Sequence, residues 1–499
     1  MVLRTLAGDT GHMNRSTAVQ TVRAAVRNIP SVAQWSATEQ PDLALLVTPR
    51  THARALDPNE MVVEGDRGVG KSFWSAVLTF DDARSSAAKA YPSLGLDKLV
   101  VQLGFAQARR TEFPSAATLR SLAGSSVSSI WRLVALRAMA RAVEFDLPSD
   151  LNDGQSWGNA VARLEKLPEE EEALFAALDT ELRKRGKRLL LIFDALDRIG
   201  GTDWGAVRRL VRGILQAGLE LRDSYPTIRF KVFLRSDIFN DEEIWRFPDA
   251  SKIRGGAARL IWNVADLYAL LFRHLQQAGA ESALLSLQPS IRFDRLLSDV
   301  ADQQSALEAI AGEFMGGVRR GRIYSWLPSH LSDARGEASP RSFLLALKTA
   351  ADKTADSFQL PLSYLQIRDS VQQASRLRVS ELGEDHPWLS DVLRALDGLV
   401  VSAERIDVSA RFQLAGLQTS FARETVLGAE QEVVEGSVPL VPVELAASNV
   451  SPREFNDRLM LALKRLHVIE ERPDKRINVP DLFRVAAGIK RKGGVPVAR

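Results

Sequence analysis

Residues 65–72 of the sequence, GDRGVGKS, have the composition of a loop that surrounds a polyphosphate. Gly65, Gly70, Lys71 and Ser72 fit the spacing G-x-x-x-x-G-K-[ST], the P-loop pattern. The glycines allow backbone N–H groups to turn inward, and a helix starting near Gly70 adds the positive end of its dipole. Lys71 offers a charge to the β- and γ-phosphates, and the hydroxyl of Ser72 suits Mg²⁺. We predict that the nucleotide is bound by Gly65, Asp66, Arg67, Gly68, Val69, Gly70, Lys71, Ser72 and Phe73.

The residues on either side of this motif favour the order strand, loop, helix that a P-loop requires. Residues 61–63 are apolar and predict a short buried strand. Phe73, Trp74, Val77 and Leu78 have the spacing of one apolar helix face. A glycine-rich turn with no ligand is the alternative interpretation, and the flanking pattern favours the nucleotide site.

A second predicted strand ends in an acidic residue. Residues 189–193 form an unbroken apolar run, as expected of a parallel strand covered on both faces, and Asp194 follows them directly. We predict that Asp194 and Ser72 together bind Mg²⁺. Asp197 lies three residues further on, where it could orient water. Residues 99–105, LVVQLGF, predict a further strand between the two motifs.

A third motif follows an amphipathic helix. Phe230, Val232 and Leu234 alternate in the way of a strand, and Arg235 comes at its carboxyl end. Ligands of doubly wound sheets bind at that edge, so Arg235 is placed to sense a γ-phosphate. The alternative is an arginine that pairs with Asp237.

Taken together, the P-loop, LLLIFDALDR and FKVFLRSD resemble the additional-strand P-loop NTPases, the group that holds AAA+ and STAND ATPases. The resemblance covers roughly residues 40–360. It implies ATP as the nucleotide, Mg²⁺ as the metal and a Walker B role for Asp194. The Glu that usually follows this aspartate is replaced by Ala195, which leaves the general base open. The resemblance assigns catalytic roles to Lys71, Asp194, Asp197, Arg235 and Arg341.

Arg341 is predicted from the start of a helix. Ser339 is suited to cap it and Pro340 to occupy its first position. Arg341 then falls in the first turn, where a cation opposes the helix dipole and an anion should compensate. The resemblance implies a sensor-2-like role for Arg341, in which it would reach the γ-phosphate from a helical lid. The alternative is an exposed arginine paired with Glu337 or Asp333.

The C-terminal segment looks like a winged helix. Ser451 and Pro452 again predict the start of a helix, and residues 468–472 and 477–479 predict a two-stranded ribbon. Winged helices bind DNA in some proteins of this group and brace the ATPase in others, and the sequence leaves both uses open. Nucleic-acid binding is credible because of Lys464, Arg465, Arg472, Lys475 and Arg476. The tail, which could also touch phosphates, carries Arg484, Lys490, Arg491, Lys492 and Arg499.

The predicted architecture is an α/β P-loop fold with a parallel sheet flanked by helices, then a helical lid and a winged-helix-like domain. We place an N-terminal helical segment at residues 1–50 and the ATPase core at 51–255. A helical insertion at about 106–187 separates the two Walker motifs. The lid is predicted at 256–378 and the C-terminal domain at 379–499.

The composition excludes several kinds of site and makes some classes of protein unexpected. The 499-residue chain is 45% hydrophobic and lacks cysteine, which excludes disulfides, thiolate metal sites and a cysteine nucleophile. Its apolar runs fall short of the roughly 20 residues that a membrane span requires, so a membrane protein is not expected. The N-terminus lacks the pattern of a secretory signal, which makes the cytoplasm the expected location. Met13 is an alternative start.

The sequence therefore predicts an ATP- and Mg²⁺-dependent ATPase that acts as a nucleotide-controlled conformational and assembly switch. The resemblance suggests a role in bacterial defence or signalling, a protein partner, and a homo-oligomer in which a neighbour completes the site. The alternatives are a DNA-binding initiator or transposition regulator and a scaffold that binds nucleotide without turnover. The arginines available to a neighbouring subunit are Arg208, Arg209, Arg212 and Arg222.

Overall fold

The fold is taken from a computed structural model. It describes residues 13–30, 36–107, 112–122, 126–200, 204–422, 445, 450–492 and 495. Parts of the predicted N-terminal segment, helical insertion and C-terminal domain lie outside the described residues, as does Arg499. Among the helices that are described, none is both long enough and apolar enough to cross a membrane.

A five-stranded sheet occupies the centre of the predicted ATPase core. Its order is β2-β3-β4-β1-β5, and every neighbouring pair is parallel. The predicted α/β fold is therefore confirmed. The predicted end of the core at residue 255 is too early, because the fifth strand pairs with the first one. The strands are β1 (Val62–Glu64), β2 (Leu99–Phe105), β3 (Arg188–Phe193), β4 (Ile228–Leu234) and β5 (Ala258–Arg259).

Helices cover the sheet, and those of the predicted insertion belong to the same apolar core. The indole of Trp131 packs edge-on against Phe193 at 5.7 Å between ring centroids, and its Nε1 donates to the Leu210 carbonyl at 3.1 Å. Residues 126–184 thus help to bury β3. The helices up to this point are α1 (Arg15–Arg27), α2 (Ala53–Leu56), α3 (Lys71–Thr79), α4 (Asp81–Ala90), α5 (Ala116–Ser121), α6 (Val127–Val143), α7 (Trp157–Lys166), α8 (Pro168–Lys184), α9 (Trp204–Ser224), α10 (Ser236–Phe239) and α11 (Ala250–Gly255).

A helical region follows the sheet. Its helices are α12 (Val264–Gln277), α13 (Glu281–Leu287), α14 (Val300–Ala311), α15 (Ile323–His330), α16 (Pro340–Lys353) and α17 (Tyr364–Asp385). The predicted start of α16 is confirmed, since the Ser339 side chain accepts from the Ser342 N–H at 3.2 Å and Pro340 is the first helical residue.

The predicted boundary between residues 378 and 379 falls inside α17. The sequence VSELGEDHPW predicts a linker, but the helix continues to Asp385 and ends only before His386 and Pro387. Burial explains the difference. Val371 lies in the apolar core of the lid and Leu382 in that of the C-terminal domain, so one helix serves both.

The C-terminal domain has its own apolar core. Its helices are α18 (Trp388–Ala395), α19 (Arg405–Leu414), α20 (Pro452–Arg465) and α21 (Asp481–Arg484), and its strands are β6 (Val400–Val401), β7 (Glu470–Glu471), β8 (Ile477–Asn478) and β9 (Lys490–Arg491). The Ser451 cap of α20 and the antiparallel ribbon of β7 and β8 are present as predicted, although the ribbon is shorter. The winged-helix identity stays a prediction.

One buried arginine fixes α1 to the lid. Arg23 is 0% exposed, and its guanidinium donates to the backbone carbonyls of Asp356, Phe358, Leu360 and Pro361 at 2.7–3.1 Å. These carbonyls belong to the irregular segment between α16 and α17. The arginine therefore supplies hydrogen bonds that the segment cannot make within itself.

Replacing Arg23 by methionine should destabilise the lid by about 2–4 kcal/mol, because the four carbonyls lose their donors. Thermal unfolding checks this, with Arg15→Met as the control, since Arg15 is exposed on the same helix. Equal melting temperatures for the two variants would contradict the assigned role of Arg23.

Candidate nucleotide site

The predicted P-loop lies between the end of β1 and the start of α3. Gly68 and Gly70 adopt left-handed backbone conformations, with φ of 78° and 99°. The ammonium of Lys71 donates to the carbonyls of Gly65 and Asp66, both at 2.8 Å, and so folds back across the loop. The Nε1 of Trp262 donates to the Val69 carbonyl at 2.8 Å and ties the loop to the chain after β5. Hydrogen bonds from Lys71 within the loop and from Trp262 outside it thus fix the conformation of the loop.

Ser72 and Asp194 meet at the carboxyl edge of the sheet. Asp194 follows β3, where its backbone N–H donates to the Phe105 carbonyl at 2.9 Å, and it is buried. Burial raises the pKa of its carboxyl, and the hydrogen bond from the Ser72 side chain opposes that shift. A hydroxyl and a carboxylate side by side are oxygen ligands of the kind that Mg²⁺ prefers, so the residues present fit this metal.

A cavity of about 610 Å³ joins these groups to the lid. His274 also lines it, and burial lowers the pKa of this imidazole to about 4, so it is neutral near pH 7. Among the predicted site residues, Gly65, Asp66 and Val69 do not line the cavity. The predicted residues that do are Arg67, Gly68, Gly70, Lys71, Ser72, Phe73, Asp194, Asp197, Arg235 and Arg341. The apolar part of the lining consists of Ala37, Leu45, Val47, Trp262, Leu270 and Leu344.

Arg235 is buried at the end of β4 among three carboxylates. It pairs with Asp237 at 2.7 Å, as the alternative interpretation expected, but also with Asp197 at 3.2 Å and Asp385 at 2.6 Å. These carboxylates raise the pKa of the guanidinium against the effect of burial, so it is always charged. Asp197, the predicted water-positioning residue, is therefore held beside the cavity by the predicted γ-phosphate sensor.

Two of the other three arginines that line the cavity also face carboxylates of α17. Arg341 pairs with Glu381 and not with Glu337 or Asp333, the partners suggested by the sequence. Arg67 pairs with Glu384 at 3.0 Å and with Asp385 at 2.5 Å. Sequence reasoning missed these acids, since it assigned the end of α17 to a linker. The available signal was the compensating anion that an arginine in a first helical turn requires.

Asp66 points away from the cavity towards the lid and the C-terminal domain. Its carboxylate lies 3.0 Å from Arg335, 3.7 Å from Arg378 and 3.9 Å from His467. The two guanidiniums lower the pKa of Asp66, although burial acts in the opposite direction. Arg335 also pairs with Glu64 at 2.9 Å, at the end of β1. Asp66 thus connects the P-loop to the lid, and neither arginine was expected from the sequence.

Most residues predicted to meet other molecules have partners within the chain. Arg208 pairs with Asp241 at 2.6 Å, Arg222 with Asp223 at 3.2 Å, and Arg212 donates to the Glu243 carbonyl. Arg484, expected in a basic tail, is 0% exposed and pairs with Asp481. Four of the five basic residues predicted to bind nucleic acid, Lys464 on α20 and three in the turn of the ribbon, face nearby acids in the pairs Lys464–Glu471, Arg472–Glu470, Lys475–Glu471 and Arg476–Glu404.

Comparisons with known proteins do not assign a family. No protein-family model matches the chain, and no curated protein matches it. Among solved structures, it is similar to the ORC2 protein of Aeropyrum pernix, determined as ADPNP–ADP complexes, with 13% sequence identity over 88% of each chain and a TM-score of 0.28. A likeness this weak does not identify what the chain binds or does.

Gly68 should not tolerate a side chain. A Cβ at this position would lie 2.8 Å from the Cβ of Arg341, and its φ of +78° is strained for alanine. Gly68→Ala should therefore weaken nucleotide binding by roughly tenfold, about 1.4 kcal/mol, as the loop shifts. Titration of a fluorescent ATP analogue measures this.

Gly186→Ala is the matched control, because Gly186 also has a positive φ, +61°, but an added Cβ there meets no atom within 4 Å. The positive φ should cost each variant about 1–2 kcal/mol of stability, and only Gly68→Ala adds the close contact with Arg341. Unchanged affinity in Gly68→Ala would contradict the close approach of the loop to the lid at a nucleotide site.

Proposed function

We propose that the chain binds ATP with Mg²⁺, hydrolyses it and acts as a nucleotide-controlled switch. The observation that carries this proposal is the single cavity shared by the P-loop, the Ser72–Asp194 pair and two arginines from separate elements. Arg235 comes from the end of the sheet and Arg341 from the first turn of α16. Each of these groups has a task in phosphoryl transfer, and they converge although 270 positions separate Lys71 from Arg341 in sequence.

The apolar part of the cavity lining suits a purine base. Trp262 and Leu270 offer flat or aliphatic surface there, and His274 is neutral, so the base would be recognised by packing and not by charge. The polyphosphate would extend from the base, packed on Trp262 and Leu270, towards Lys71. We infer ATP and not GTP because the sequence lacks an N-K-x-D-like base-reading motif.

The chain supplies charge and orientation for hydrolysis. Lys71 is buried and its pKa is lowered to about 8, chiefly by burial, so a polyanion beside it would favour its charged form. Arg235 and Arg341 would stabilise the charge that develops on the γ-phosphate. Asp197 would orient the attacking water, whose oxygen bonds to the γ-phosphorus as the bond to the β–γ bridging oxygen breaks.

Ser72 and Asp194 would hold Mg²⁺. When bound, this ion neutralises charge on the β- and γ-phosphate oxygens. Asp194 is kept in place for this by its position at the end of a fully buried strand. No glutamate follows it, so the rate is expected to be low, with Asp197 as the water-positioning residue.

The switch would act through the contacts between the P-loop and the segments after the sheet. Arg341 belongs to the lid, and α17 continues from the lid into the C-terminal domain. A nucleotide that binds these groups more strongly in one arrangement than in another shifts the balance between arrangements. A change of assembly state, with an arginine supplied by a neighbouring subunit, is part of this proposal.

DNA binding by the C-terminal ribbon is the weaker alternative. Its lysines and arginines lie beside glutamates, which reduces the field that would attract phosphates. The observed pairs therefore favour a bracing role for this domain. We propose a role in bacterial defence or signalling, and a protein partner, on the resemblance alone.

Loss of either Walker residue should abolish turnover. Lys71→Ala and Asp194→Asn are expected to lower ATP-dependent phosphate release by on the order of 100-fold or more, because the first removes a charge that stabilises the reacting phosphates and the second removes the carboxylate proposed to hold Mg²⁺. A coupled phosphate-release assay with Mg²⁺ measures this.

Lys89→Ala serves as the control, since Lys89 is exposed in the last turn of α4. It should release phosphate at the wild-type rate. If wild type binds ATP but releases no more phosphate than Lys71→Ala, the chain is a nucleotide-binding scaffold and the hydrolase proposal is wrong.

A further inference from the structure

The carboxyl end of α17 presents three acids to the arginines of the nucleotide cavity. Glu381 pairs with Arg341, Glu384 with Arg67 at 3.0 Å, and Asp385 with Arg67 at 2.5 Å and with Arg235 at 2.6 Å. Glu381 and Glu384 themselves line the cavity. Three of the four arginines that line the cavity, Arg67, Arg235 and Arg341, are thus each paired with a carboxylate from one helix end.

These pairs and a triphosphate make conflicting demands. A guanidinium presents its N–H donors in one planar fork, and donors used by a carboxylate are not available to phosphate oxygens. In addition, a polyanion placed in the cavity would lie close to the carboxylates that line it, of which Glu381 is largely buried and so weakly screened by solvent. The acids of α17 and the terminal phosphate should therefore exclude each other.

We propose that residues 381–385 form an autoinhibitory acidic latch, which occupies the arginines of the γ-phosphate subsite and must leave when ATP binds. This inference rests on the proposed ATP site and adds its regulation. ADP has no γ-phosphate, so it should compete with the latch less than ATP does. The latch should therefore be displaced by ATP more readily than by ADP.

Release of the latch would move more than three side chains. Leu382, between Glu381 and Glu384, and Trp388, three residues after Asp385, are buried in the apolar core of the C-terminal domain. His386, directly after α17, pairs with Asp237 at 3.2 Å, next to the same Arg235. Because the acids are built into the junction between lid and C-terminal domain, their departure should shift that domain relative to the sheet.

The test compares two single substitutions on α17. Asp385→Asn removes the charge that pairs with Arg67 and Arg235 while keeping the shape of the side chain. Asp369→Asn is the matched control, since Asp369 lies on the same helix and pairs with Arg368, outside the cavity. Isothermal titration with ADPNP and with ADP, both with Mg²⁺, gives the affinities of wild type and both variants.

We expect Asp385→Asn to bind ADPNP about tenfold more tightly than wild type, with a change of less than about threefold for ADP. Asp369→Asn should match wild type for both nucleotides. Glu381→Gln, which frees Arg341, should also tighten ADPNP binding and serves as a second variant if Asp385→Asn unfolds. Hydrogen exchange of residues 379–392 should rise when ADPNP is added to wild type.

The outcomes separate this inference from the proposed function. If wild type binds ADPNP and both latch variants bind it no more tightly than Asp369→Asn does, the latch is wrong while the ATP site stands. Equal tightening for ADP and ADPNP would also overturn the assignment to the γ-phosphate. If neither wild type nor any variant binds nucleotide, the proposed function itself fails.

Discussion

Pairing of buried charges is the constraint on which the arrangement of this protein depends. Lys71, Arg235 and Asp194 lie at one edge of the sheet, where burial disfavours any charge without a partner. The sheet alone does not supply enough partners, so the chain brings carboxylates from the end of α17 and arginines from the lid to the same edge. The position of the lid and of the C-terminal domain follows from this need, since both carry groups that the P-loop edge requires.

Buried basic side chains also find partners away from the cavity, where they donate to backbone carbonyls. Lys231 in β4 is buried and donates to the carbonyls of Ala55 and Asp57 at 3.0 and 2.6 Å, and to that of Glu60. Arg23 and Arg484 likewise donate to backbone carbonyls of irregular segments. Such segments have no ladder or helix to satisfy their carbonyls, and one side chain with several N–H donors can satisfy several carbonyls at once. Each of these three side chains, Lys231, Arg23 and Arg484, thereby holds an irregular stretch of chain against an apolar core.

The sequence was sufficient wherever the information is local. Strand β2 has the predicted bounds, and the caps at Ser339 and Ser451 are where residue type and spacing place them, because a cap depends on neighbours three residues away. The approach of Arg335 to Glu64 could not be predicted in this way, since 271 positions separate the two residues. The end of α17 was mistaken for a linker because Gly383 and three nearby acids resemble a solvated turn. Only burial of Leu382 in the next core shows why the helix continues.

The central claim is that a triphosphate and its metal lie between the P-loop and Asp194. A structure of the chain determined with ADPNP and Mg²⁺ tests it most directly. The account predicts phosphate density inside the loop of residues 65–72 and a metal contacting Ser72, with Asp194 beside it. Density for the nucleotide at any other place on the protein, with these residues in contact with solvent alone, would contradict it.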